Sequence, residues 1–114
     1  MVRETEIKAA FAALIAARQA LYDGSEKELA AKTALKKREA ALLLSGAIIG
    51  KNAETRDAQL KEGCKMELEA VEAIRKEKAE VQLRQDLASI NVQELQWLVR
   101  NDQAIAGLGE AGYL

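Results

Sequence analysis

Four stretches of this chain carry residue types that could do chemistry. The first is Gly46-Ala47-Ile48-Ile49-Gly50-Lys51-Asn52. A phosphate-binding loop needs four residues between its glycines and a Ser or Thr after the Lys, because that hydroxyl holds the magnesium. Here three residues separate the glycines, Asn follows the Lys, and an Ala/Leu-rich stretch precedes the loop instead of a strand. A glycine-flanked turn between helices, with Asn52 as a helix cap, fits better. The second is a run of carboxylates, Glu62, Glu67, Glu69 and Glu72. Di-metal sites in helical bundles pair such residues with His, and the chain has none. A solvated helix face is the better reading. The third is Cys64, the only cysteine. It excludes an intrachain disulfide and is expected to be a small, buried, inert apolar residue. The fourth is the basic cluster Lys32, Lys36, Lys37 and Arg38, to which Lys61 and Lys65 add if the chain folds back. It lacks the interleaved aromatics of a single-strand binder. With a net charge of −1, nothing draws the whole molecule to a polyanion. Nucleic acid through Lys32–Arg38 is therefore the alternative reading, and a solvated face the first one. No catalytic group, metal ion or cofactor is expected.

These residues must sit on helices. The 114 residues contain no proline, 31% charged residues and 4% aromatics, a balance typical of long helices and coiled coils. Over residues 4–45, Ile7, Leu14, Leu21, Glu28, Leu35, Leu42 and Ile49 recur every seven residues, with Glu28 the exception in an aliphatic row. Ala10, Ala17, Gly24 and Ala31 follow three residues after the first four, so the seam has one wide and one narrow row. Asp23-Gly24-Ser25-Glu26-Lys27-Glu28 reads locally as a helix end followed by a capping box, which would give three helices. The apolar phase is the same on both sides, and a turn has no reason to preserve it. Glycine inside a helix costs only ~1 kcal/mol. A continuous helix is the preferred reading, with capping as the expected role of Glu28.

The clearest break is residues 46–52. A second helix is expected over residues 53–100, with Leu60, Cys64, Leu68, Val71, Ile74, Val81, Leu87 or Ala88, Val92, Leu95 and Val99 at spacings of three and four, and Lys78 and Gln85 as polar gaps. Residues 101–114 hold three glycines in their last eight positions and are expected to form a flexible tail, onto which Ile105, Leu108 and Tyr113 could dock. The expected fold is thus all-α, a long antiparallel two-helix hairpin forming a single domain over residues 1–100. With the bend at Ile49, Leu14 should face Arg84, Leu35 should face Gly63-Cys64, and Met1-Val2 should face Gln96-Trp97.

A bare hairpin buries one stripe per helix. Ile15, Tyr22, Leu29, Leu43, Met66 and Leu83 fall off that stripe, which predicts a homodimer or a higher homo-oligomer. Ala40 to Ile49 is almost uninterruptedly apolar. Leu43, Leu44, Ile48 and Ile49 at the bend, with Trp97 toward the other end, are the expected self-association or partner-binding residues. No apolar run approaches the ~20 residues that span a bilayer. The acidic start Met1-Val2-Arg3-Glu4 does not read as a secretory leader, so a cytoplasmic location is expected.

The segment Gly50-Lys51-Asn52, Arg56 and Leu60, within residues 42–60, resembles small helical hairpin proteins of bacteria and bacteriophages. In these, a Gly-Lys-Asn-x-x-x-Arg-x-x-x-Leu segment separates two helices. The resemblance covers about a sixth of the chain and implies a bacterial or phage origin, with no activity attached. In that setting Asn52 caps the second helix and Arg56 bonds back to turn carbonyls. The function expected from all this is a non-catalytic interaction or assembly module. The alternative is an accessory protein of phage or host DNA metabolism.

Overall fold

The structure, a computed structural model, describes residues 2–110. It is all-α: α1 spans Glu4–Leu44, α2 Ala53–Gly63 and α3 Lys65–Glu110. Among the described residues there is no strand. The chain forms a helical hairpin that divides into two units, Met1–Leu21 with Glu80–Leu114, and Tyr22–Ala79.

In the first unit the start of α1 runs antiparallel to the second half of α3. Ala10, Leu14 and Val92 are buried together, with Ala88 and Leu95 packed against them. Each is a seam position of the seven-residue pattern. Burying an aliphatic side chain of this kind is worth ~1.5–3 kcal/mol, and the alanines let the helices approach closely. Val2 N donates to Asp102 Oδ2 at 3.3 Å, which ties down the start of the chain.

In the second unit Leu35, Leu68 and Val71 line one groove between the rest of α1 and the start of α3, and Leu42 stands against Gly63. α1 runs unbroken through Gly24. No helix starts at Glu26, so the capping role expected of Glu28 is not what it does. Preserved apolar phase outweighs the local stop signal, as a cost of ~1 kcal/mol for one helical glycine allows.

The third helix arises elsewhere, from a break at Cys64. There the backbone turns to φ −108° and ψ 17°, Cys64 N donates to Leu60 O at 2.9 Å, and Leu68 N donates to Cys64 O at 2.9 Å. A Cβ on Gly63 would lie 2.6 Å from Leu42 Cδ1. Glycine at this position is what admits Leu42. The second helix of the expected hairpin is therefore two helices, and α3 passes the expected end at Arg100 to reach Glu110. The docking expected of Leu108 and Tyr113 falls on side chains outside the described set.

The expected pairing is also displaced, by five to eight residues. Leu14 packs with Val92 and not beside Arg84. Leu35 lines a groove with Leu68 and Val71 instead of standing at Gly63-Cys64. Val2 reaches Asp102 and not Gln96-Trp97. In the second unit the cause is visible. With Leu42 opposite Gly63, most of α2 extends past the end of α1, by about 12 Å at 1.5 Å per residue. The non-helical connector 45–52 can climb that distance because extended chain rises ~3.3 Å per residue.

Candidate functional site

The bend is built from hydrogen bonds that the sequence only half announces. Gly46 takes φ +76°, the left-handed region that glycine enters without cost. Ser45 closes α1 by donating its N–H to Ala41 O and its Oγ–H to Leu42 O, both at 3.0 Å. Asn52 caps α2: its Oδ1 accepts from Thr55 N at 2.8 Å and from Thr55 Oγ1 at 2.9 Å. Arg56 Nε donates back to Asn52 O at 3.3 Å, the type of contact expected of it. Gln59 carries the part that sequence reasoning missed. Its Oε1 accepts from Ile49 N at 2.9 Å and Gly50 N at 3.0 Å, holding the extended connector against α2. Glutamine among polar helix residues gave no signal; two turns of helix between it and the loop were needed to reveal the role. Gly50 sits so close to α2 that a Cβ would come 2.8 Å from Arg56 N.

This scaffold displays apolar side chains. Leu44 is 89% exposed and Ile49 78%. Leu43 is exposed as well, whereas Ile48 is half-buried. The expected bend residues are thus gathered at one place, but with Ile48 as a support and Leu43, Leu44 and Ile49 as the displayed set. Tyr22, Leu29 and Met66 in the same unit are also exposed. In the other unit Phe11, Ile15, Leu83, Leu87, Ile90, Trp97 and Ile105 are exposed. Trp97 is therefore not packed into the core against α1.

The basic cluster is partly engaged within the second unit. Lys32 Nζ lies 3.7 Å from Glu28 Oε2, and Arg38 Nε donates to Gly63 O at 3.4 Å. Lys36 lines a groove whose charged walls include Glu39, Glu72 and Arg75. Lys37 is exposed. Acidic neighbours interrupt the face that a phosphate backbone would follow. Glu28 itself collects Lys78 Nζ at 3.3 Å and Arg75 Nε at 3.4 Å, with its side chain only 17% exposed. The hydrogen bond from Lys78, aided by the charges of Lys32 and Lys78 and by the Arg75 hydrogen bond, holds its carboxyl below the usual glutamate range, against the opposing effect of burial.

Cys64 is 1% exposed and unpaired with any other sulfur. Burial pushes its thiol up, and Glu39 and Glu67 push it further against the opposing charge of Arg38, which disfavours the reactive thiolate. Among the described residues no group of three or more Cys, Asp or Glu could hold a metal ion. None of their helices is long and apolar enough to cross a membrane.

Comparison of the chain with protein-family models, with curated proteins and with solved structures returns no match.

Proposed function

We propose that this protein is a non-catalytic assembly module that works by laying uncovered apolar helix faces against other helices. One observation carries the reading. The chain exposes 8731 Å², whereas a compact monomer of its 12.4 kDa exposes about 6,100 Å² by the usual scaling. An unfolded chain of this mass exposes about 18,000 Å², so folding alone removes only about half of it, less than even a 60-residue domain achieves. Large apolar side chains share in the exposed surface. Among the described residues the buried hydrophobic ones are Ala10, Leu14, Cys64, Val71 and Val92, while the larger Phe11, Tyr22, Leu29, Leu83, Ile90 and Trp97 remain exposed. Each covered Leu or Ile would add ~1.5–3 kcal/mol, a gain that a helix laid on these faces supplies.

Light scattering of the purified chain at micromolar concentration tests this. The expected mass is at least that of a dimer, unchanged between low salt and 1 M salt because apolar contact is not screened. A monomer with a sharp thermal transition would overturn the reading. Binding to nucleic acid that weakens steeply as salt rises would move the function to the Lys32–Arg38 face.

A further inference from the structure

We infer that a second copy of this chain covers the outer face of α3, antiparallel and with its two-fold axis at Ile90; this rests on the assembly reading above and says where the copies meet. Leu83, Ile90 and Trp97 repeat every seven residues. They lie two residues beyond the seam positions Val81, Ala88 and Leu95, which is about 200° around the helix. The row therefore faces away from α1. Leu87, four after Leu83 and three before Ile90, completes a three-and-four alternation like that of the intramolecular seam.

These four side chains are 57–61% exposed. They leave on the order of 450 Å² uncovered, within the ~300–600 Å² of the largest patch on an ordinary monomer and often functional at that size. Doubled by a two-fold, and with the flanking residues, the buried area approaches the ~1,000 Å² at which specific interfaces begin. A row that repeats in register with a helix is matched by another helix. The same row on a second copy supplies one of equal length and spacing.

Charge selects the antiparallel order. Glu80 stands ten residues before Ile90 and Arg100 ten after it. A two-fold at Ile90 sets each against the other and places Leu83 opposite Trp97. A parallel pair would instead put Glu80, Glu94 and Arg100 each against its own copy, at a cost in like-charge repulsion. Asp86 does come toward Glu94 in the antiparallel pair. There Gln82 Nε2 already donates to Asp86 Oδ1 at 3.0 Å.

Two measurements test the inference. Trp97 is the sole tryptophan. In the wild-type protein its emission should lie at short wavelength and resist acrylamide quenching at high concentration, and both should be lost on dilution into monomer. Under mild oxidation, Ile90→Cys should crosslink to its own kind, while Ala104→Cys, about 42 Å from its mate across the antiparallel pair, should not. The buried Cys64 is the silent internal control. An oligomer by light scattering with a water-exposed Trp97 and no crosslink at position 90 would overturn this interface and leave the assembly reading standing. A monomer by light scattering would overturn both. Crosslinking at position 104 as strong as at 90 would overturn the antiparallel order.

Discussion

Lys78 Nζ lies 3.3 Å from Glu28 Oε1, and Glu28 is the one polar residue in the seven-residue row from Ile7 to Leu42. Arg75 and Lys32 converge on the second carboxylate oxygen. A slip of seven residues would keep every apolar position in phase yet set Glu28 against Val71, which is buried. A carboxylate with no partner there would be costly. One polar layer thus fixes a register that the repeating aliphatic rows leave degenerate, the role a polar core residue plays in coiled coils.

The pH dependence follows from the direction of the Glu28 shift. Its carboxyl is held below the ordinary value, chiefly by the Lys78 hydrogen bond. Unfolded chain therefore takes up a proton before folded chain does. The stabilisation is fully present above the ordinary glutamate pKa of about 4.3 and is lost as pH falls through the lower, folded value. Thermal melts of wild type and Glu28→Gln from pH 7 to pH 2 should differ most at neutral pH and converge in acid. A gap that stays constant over that range would exclude the carboxylate charge as the cause.

Three glycines should respond to alanine in different directions. A Cβ at Gly24 would sit 3.7 Å from Lys78 Cγ, an ordinary contact inside a continuous helix. Gly24→Ala is expected to stabilise by about 0.4–1 kcal/mol. At Gly46 the φ of +76° makes alanine cost about 1–2 kcal/mol. At Gly50 the new Cβ would strike the backbone of Arg56, so the loop must shift and stability must fall. Chemical denaturation of the three variants settles the order; destabilisation by Gly24→Ala would mean that α1 is broken there.

The helical class, the hairpin and the seam were legible because burial follows a repeat of seven. Ile7, Leu14, Leu21, Leu35 and Leu42 are all buried or half-buried where the pattern puts them. Pairing across the hairpin was not legible, because it depends on how far the connector climbs before α2 begins. The break at Cys64 was hidden because the apolar phase continues across it from Leu60 to Leu68 and Val71. Gly63 was the available signal, but only the position of Leu42 shows what it is for. At the bend, Asn52 and Gly46 could be read from residue type. Gln59 could not, nor could the half-burial of Ile48; Ile49 leaves the seam because residue 49 continues the seven-residue row only in a helix, and the helix has already ended.

Gln59 should matter to the connector out of proportion to its place on a polar helix. Removing its Oε1 leaves the N–H groups of Ile49 and Gly50 without their side-chain acceptor. Gln59→Ala is expected to cost about 1–2 kcal/mol, one modest net hydrogen bond for each donor. Asn52→Ala should cost about 1 kcal/mol as a lost cap. Hydrogen exchange at Gly50 should accelerate in Gln59→Ala with no change in the middle of α1. Unchanged exchange at Gly50 would mean that the carboxamide does not hold the loop.

The displayed and supporting residues of the bend separate under substitution. Leu44 and Ile49 are almost fully in water, so Leu44→Asp with Ile49→Asp should leave helicity intact and shift stability by no more than about 0.5 kcal/mol per site. Ile48 is half-buried, and Ile48→Asp should destabilise by about 1–3 kcal/mol through its partly buried charge. With the copies joined along α3, the Leu44/Ile49 double variant should also keep the oligomeric mass of wild type, while its retention on a hydrophobic-interaction column falls. Dissociation of the oligomer in that variant would move self-association from α3 to the bend. Unchanged retention would mean that Leu44 and Ile49 present no accessible apolar surface, and the bend would then have no part in docking.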